Sequence, residues 1–238
     1  MHRPKIIAHR GVTGRHRENT LPAFADALEV GADGVEFDVR LSGDGQLLVH
    51  HDDRLGRVFP GNAQLSRHTV QELRQLTAGV PDAQIPLLDE VLELLEQRGR
   101  AGFMVNIEVK ADDSAVVGIE TKIAQAVKQF RYASDVTISS FNHHSLRNWK
   151  ILMPQVDTGV LYMEHMVDPW LYAAHLGARA LHPYFPTVTP DLVRECHTRG
   201  FLVRPFTVNH AADLDYMVDC GVDALFTDDV LSCQKMLL

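Results

Sequence analysis

Hydrophobic and polar positions follow two periods along this chain, and the two periods take turns. Short runs that are apolar or alternate with period two are followed by longer stretches whose apolar residues recur every three or four positions. Residues 5–8 read as a buried strand that ends in His9-Arg10-Gly11. Residues 21–30 read as a helix with Leu21, Phe24, Ala25 and Leu28 on one face, and Gly31 stops it. Residues 34–39 form a second strand, and the turn Ser42-Gly43-Asp44-Gly45 leads into a third over 47–50. After a less regular stretch, the pattern predicts a helix over 87–98 with Leu88, Val91, Leu92 and Leu95 together and Gly99 as its stop. Strands then follow over 103–109, 136–140, 158–162, 178–182, 202–208 and 223–227. The helices between them fall over 115–130, 143–152, 169–175, 190–199 and 211–220.

The turn at 42–45 sets the local topology. Four residues cannot make a parallel crossover, which needs about a dozen or more. Residues 47–50 are therefore the return arm of a hairpin, and that arm carries His51 and Asp52 back towards the end of the second strand. The stretch over 52–86 has one short helix at 69–76 and turn material at Phe59-Pro60-Gly61-Asn62, and reads as a small insertion over the mouth of a single domain spanning 1–238. Without the hairpin arm there are eight strands, each but the last followed by a helix. That count predicts an α/β fold, a (β/α)8 TIM barrel. An open doubly wound sheet is the competitor, but it would more often carry a glycine-rich phosphate loop after its first strand, and His9-Arg10-Gly11-Val12 is not one.

Composition narrows the partners. The chain has 238 residues and a net charge of −8, with no basic run to neutralise phosphates, which argues against nucleic acid. Cys196, Cys220 and Cys233 are an odd number without metal-ligand spacing, as expected of reduced thiols in a cytoplasmic protein. Three apolar residues before His9 are too few for a signal peptide, and no run approaches the ~18 apolar residues of a membrane span. A soluble protein without stable membrane insertion is expected.

Chemistry concentrates where the strands end. Glu36 and Asp38 share a strand face while Val35, Phe37 and Val39 take the other. Residues two apart on a strand lie roughly 6.5–7 Å from each other, so two desolvated acids there require a metal ion, a basic side chain or the protonation of one of them. Asn106, Glu108 and Lys110 repeat the pattern, and Glu108 could complete an oxygen-only, three-carboxylate site suited to Mg2+ or Ca2+. Zinc fits less well, because no histidine pair or cysteine cluster accompanies the acids. Lys110 reads either as a point charge for an anion or as a salt bridge to a neighbouring acid. With Arg10, His9 and His51 the strand ends hold three acids, two cations and two histidines. Such a set suits phosphoester cleavage, in which one imidazole takes a proton from the nucleophile and the other gives one to the leaving alkoxide.

In this order and at these spacings the residues resemble the glycerophosphodiester phosphodiesterases, within the phosphatidylinositol-phospholipase-C-like barrels. His9-Arg10-Gly11 with Glu18-Asn19-Thr20 is similar to that family's HRG…ENT opening, with Arg17 in place of a proline. Glu36-Phe37-Asp38-Val39, the turn at 42–45 and His51-Asp52 resemble its next segment, and Asn106–Lys110 its NIEIK strand. Leu73 to Gly79 and Ile85-Pro86-Leu87-Leu88 resemble the end of its insertion and the helix start that follows. Ser139-Ser140-Phe141 matches its SSF, and residues 221–228 its GVDgiiTD. The resemblance implies His9 and His51 as acid and base, Glu36, Asp38 and Glu108 as ligands of one divalent ion, and Arg10 and Lys110 as phosphate contacts. It adds Ser140 and Phe206 as substrate contacts, Phe206 standing where the family has a tryptophan. The implied reaction is hydrolysis of a glycerophosphodiester to an alcohol and sn-glycerol 3-phosphate. Alternatives on the same barrel are a phospholipase-D-like or cyclising phosphodiesterase acting on lysophospholipids, and a non-catalytic phosphoglycerol binder.

Overall fold

The structure, a computed structural model, describes residues 3–79, 84–111 and 118–237. Nine strands run in one sheet: β1 (Lys5–His9), β2 (Gly34–Leu41), β3 (Leu47–Val49), β4 (Met104–Val109), β5 (Val136–Ser140), β6 (Asp157–Tyr162), β7 (Ala180–Pro183), β8 (Leu202–Val203) and β9 (Ala224–Thr227). Their order is β8-β7-β6-β5-β4-β2-β1-β9, all parallel, with β3 antiparallel beside β2. The helices α1 (Leu21–Glu29), α2 (Val70–Leu76), α3 (Leu88–Arg98), α4 (Ile119–Gln129), α5 (His143–Leu152), α6 (Pro169–Leu176), α7 (Pro190–Thr198), α8 (Ala211–Cys220) and α9 (Val230–Met236) punctuate them. Apart from α2, they lie in the crossovers and after the last strand, as a (β/α)8 barrel requires.

Closure is where expectation and structure differ most. A strand was expected over 202–208, but the ladder covers Leu202–Val203 alone. Pro205 has no N–H to give, so the segment continues through single hydrogen bonds instead. Asp223 N donates to Val203 O (2.9 Å), Phe226 N to Pro205 O (3.0 Å) and Val208 N to Phe226 O (2.8 Å), which join the last two strands into a nearly closed barrel. The final helix α9 was not expected; Asp229 caps it by accepting from Ser232 N at 3.1 Å, and Val230 and Cys233, three apart, are its buried face. The start of the helix expected from residue 115 lies outside the described residues.

Strand alternation sorts core from site. Val35, Phe37, Val39, Ile107 and Val109 are buried against the helices in the main apolar cluster. The opposite faces point into the barrel, where Ile7, Met104, Ala224 and Phe226 form a small apolar layer. The expected hairpin forms, with Val39 opposite Val49 and Leu41 opposite Leu47. Beyond it, Leu48, Leu55, Phe59, Leu65, Leu73 and Ile85 make a separate cluster that anchors the excursion. Its helix α2 opens with a reciprocal cap, Glu72 N donating to Thr69 Oγ1 and Thr69 N to Glu72 Oε2.

Two glycines make close approaches possible. Gly11, at φ +86°, lets the chain after Arg10 lie directly on Ala23 of α1. Gly159 of β6 leaves room inside the barrel for the imidazole of His182, whose ring atoms lie 2.3–2.7 Å from where a Cβ would stand. That ring is fully buried against Phe226, and burial followed by the charge of Arg204 pushes its pKa well below the usual value. Gly159→Ala is therefore expected to cost about 1–3 kcal/mol by overpacking. A thermal melt of the variant indistinguishable from that of the unaltered chain would refute this.

Candidate active site

Register brings the three acids together. His9 of β1 lies beside Glu36 of β2, and Asp38 of β2 beside Glu108 of β4. All three carboxylates are buried, and one oxygen from each lies within 4.8 Å of the others. Glu36 and Asp38 are thus neighbours in a cluster with Glu108, as the strand faces suggested.

Two cations enter the cluster. Lys110 Nζ stands 3.1 Å from Asp38 Oδ1 and also donates to Glu108, so the salt bridge to a neighbouring acid is present, and the side chain also lines the cleft. Arg10 Nε lies 3.3 Å from Asp38 Oδ2, and Asn19 Nδ2 donates to the same oxygen at 2.8 Å. Three carboxylates against two cations leave negative charge over. Burial, then Asp38 and Glu108, push Glu36 well above the usual carboxylate range. Burial and Asp38 likewise raise Glu108 to about 7. Burial opposes ionisation of Asp38 too, but Lys110 and Arg10 outweigh it and hold that group below its ordinary value. Buried oxygen donors with uncompensated charge fit a hard divalent cation, and the fit does not extend to soft metals.

The two histidines line the same cleft as Glu36 and Glu108, with matching support. His9 Nδ1 is 2.7 Å from Asp228 Oδ1, and His51 Nδ1 is 2.7 Å from Asp52 Oδ1. A carboxylate at Nδ1 accepts a hydrogen bond from that N–H and leaves Nε2 to act on a ligand. His9 Nε2 lies 4.0 Å from Glu36 Oε2, at the edge of the acid cluster. Burial lowers the pKa of His51, which favours its neutral form. Asp228 is itself held by Asn209 Nδ2 at 2.6 Å, and Asp52 by Arg57 Nε at 2.8 Å.

Both histidines, both cations and two of the three acids, Glu36 and Glu108, line one cleft at the C-terminal ends of the strands. Beside these charged and imidazole groups its lining includes the apolar side chains of Phe141, Leu161, Phe206 and Phe226. Phe206 is where the sequence put it, its ring 5.7 Å from that of Phe141 and 6.2 Å from that of Tyr184. Ser140 is not in this cleft. Its hydroxyl donates to Val109 O (2.7 Å) and accepts from Asn142 N (3.0 Å), because alternation along β5 gives the inward positions to Ser139 and Phe141. Ser139 instead accepts from Asn106 Nδ2 at 2.8 Å.

Sequence reasoning assigned no role to Asn19, Asp228, Asn209 or Glu18. Asp228 and Asn209 are polar residues directly after apolar strand-like runs, which is the available signal. Asn19 had a subtler one: its φ of +55° suits asparagine, and it pairs with Arg10, at φ +58°, through Asn19 N donating to Arg10 O at 2.9 Å. A left-handed arginine is strained, and its place beside the acid cluster is where such strain is found in functional sites.

Comparison with known proteins agrees with this geometry. The Glycerophosphoryl diester phosphodiesterase family matches residues 9–232. The chain belongs to that family. A glycerophosphodiester phosphodiesterase of Caldanaerobacter subterraneus subsp. tengcongensis is 40% identical over 230 residues, covering 94% of this chain and 93% of its own. One from Bacillus altitudinis is 39% identical over 232 residues, covering 94% of each. Among solved structures, an Oleispira antarctica phosphodiesterase in complex with the product sn-glycerol-3-phosphate superposes with a TM-score of 0.88 at 28% identity, covering 98% of this chain and 96% of that one. Family membership makes this chain an enzyme, a glycerophosphodiester phosphodiesterase.

Proposed function

We propose that the chain hydrolyses glycerophosphodiesters to an alcohol and sn-glycerol 3-phosphate by paired-histidine catalysis that depends on one divalent cation, Mg2+ or Ca2+. The observation that carries this reading is the pair of carboxylate-held imidazoles that share a cleft with two of three convergent, buried carboxylates. Glu36, Asp38 and Glu108 would hold the ion. When bound, it supplies positive charge to the phosphoryl oxygens and offsets that of the acids. Arg10 and Lys110 add fixed positive charge for the same oxygens, each kept protonated by the acids beside it despite burial. His51, neutral because burial disfavours its charge, takes a proton from the attacking water, and His9, held by Asp228, gives its Nε2 proton to the leaving oxygen.

Phe206, with Phe141, forms the wall on which the carbon skeleton of the glyceryl group packs. Ser140 has no part in that contact, because its hydroxyl faces away from the cleft. Residues 52–86 act as an insertion within one domain, and their Arg57 reaches the site. The three cysteines are free and buried, which suits a cytoplasmic setting. Among the described residues, no helix is long and apolar enough to cross a membrane.

The test is to incubate the purified protein with a panel of glycerophosphodiesters plus Mg2+ or Ca2+ and to identify both products. Release of sn-glycerol 3-phosphate that stops in excess chelator and returns with the ion is the expected result. Full turnover in chelator sinks the metal requirement. Products lacking sn-glycerol 3-phosphate sink the assigned cleavage.

A further inference from the structure

Arg57 belongs to the excursion, outside the barrel, yet its guanidinium reaches two parts of the site at once. Its Nε donates to Asp52 Oδ2 at 2.8 Å. Its Nη2 donates to Glu18 Oε1 at 2.7 Å, and its Nη1 to the other oxygen of the same carboxylate. Each acceptor in turn holds a group of the reaction centre. Asp52 accepts a hydrogen bond from His51 Nδ1 at 2.7 Å, and Glu18 accepts from Arg10 Nη1 at 3.0 Å. One planar fork thus closes the chain His51–Asp52–Arg57–Glu18–Arg10, a geometry that guanidinium supports and a lysine ammonium does not.

The charges agree with the geometry. Burial opposes ionisation of Glu18 and of Asp52, but Arg57, with Arg10 and His51 respectively, holds both below the ordinary carboxylate range. Both acids are therefore ionised and fixed. The His9 side is built differently: Asp228 is held by Asn209, between β8 and α8 of the barrel itself. Support from the excursion is particular to His51 and Arg10.

We infer that Arg57 is a positioning residue that sets His51 and Arg10 in register with each other, so that the inserted segment is part of the catalytic apparatus. This rests on the function proposed above for the two groups it positions. Among the described residues Arg57 bonds to Asp52 and Glu18 and to none of the three clustered acids, so it acts through Asp52 and Glu18.

The experiment compares Arg57→Ala and Arg57→Lys with the unaltered enzyme, using a glycerophosphodiester and saturating divalent ion. For Arg57→Ala kcat is expected to fall about 100-fold, the scale of a misplaced catalytic group, with KM changed by less than about threefold. Arg57→Lys should keep about a tenth of the activity, since a point charge reaches one carboxylate at a time. The side chain is 46% exposed, so guanidinium ion can enter the space left in Arg57→Ala. Added guanidinium is expected to restore activity at least about tenfold, where the same concentration of NaCl does not. Activity of Arg57→Ala within twofold of the unaltered enzyme, or a loss with a lowered melting temperature that guanidinium does not rescue, overturns the inference. Long-range 15N correlation spectra give a readout independent of turnover. His51 should show a single Nδ1-protonated tautomer in the unaltered chain and a mixture in Arg57→Ala. If the unaltered chain fails to cleave the diester, the proposed reaction falls while the tautomer change still decides the role of Arg57; an unchanged tautomer overturns that role.

Discussion

Glu36→Gln is expected to remove at least about 1,000-fold of turnover, the several kcal/mol that a metal-held transition state is worth, without destabilising the ion-free fold. The two outcomes have opposite signs for one reason. Burial, Asp38 and Glu108 together make Glu36 the acid least welcome as an anion when no cation is bound. Its folded pKa is raised, so the unfolded chain binds fewer protons than the folded one as pH rises above the ordinary carboxylate value. Stability of the ion-free protein therefore falls through that window, and an uncharged glutamine of the same shape avoids the loss. In chelator the variant should melt at or slightly above the temperature of the unaltered chain. Addition of Mg2+ or Ca2+ should raise the melting temperature of the unaltered chain and leave that of Glu36→Gln nearly unchanged. A variant that keeps its turnover, or gains stability from the ion as the parent does, would falsify the assignment of Glu36 to the cation.

His51→Ala is expected to lower kcat by about 100- to 10,000-fold, the range for a positioned acid or base. Affinity for sn-glycerol 3-phosphate should change by less than about threefold, since the imidazole is proposed to move a proton and not to hold the ligand. A binder without turnover would have no activity to lose, so the size of the drop separates an enzyme from a phosphoglycerol-binding barrel. The pH profile adds a signed expectation. A base works when neutral, and burial lowers the pKa of His51, so the acidic limb should lie below the ordinary histidine value of about 6.5. Activity should rise with pH through that limb, and the limb should be missing from the residual activity of His51→Ala. A limb that persists unchanged in the variant belongs to another group and removes His51 from the role of base.

Much of the barrel was legible because its signals are local. Period two along 34–39 put Glu36 and Asp38 on one face, and the same period over 106–110 supplied Glu108 and Lys110. A four-residue turn forced a hairpin, and the hairpin delivered His51 to the acids. Local signals also misled. The strand expected over 202–208 loses its ladder at Pro205, and Ser140 looked like a site residue although alternation turns it away.

By itself, then, the sequence determined the alternation of strands and helices as far as the last strand, the inward face of 34–39 and of 106–110, and the set of residue types at the mouth. Side-chain period and turn length decide those, and both act over a few residues. Tertiary structure decided which charges neutralise one another. His9 and Asp228 are 219 positions apart, Arg57 and Glu18 are 39 apart, and no local pattern links either pair. It also decided that Lys110 sits among the acids and that Asn19 secures Asp38. These pairings arise when the barrel closes and desolvation makes each buried charge find a partner, a condition that exists only once the whole sheet has formed.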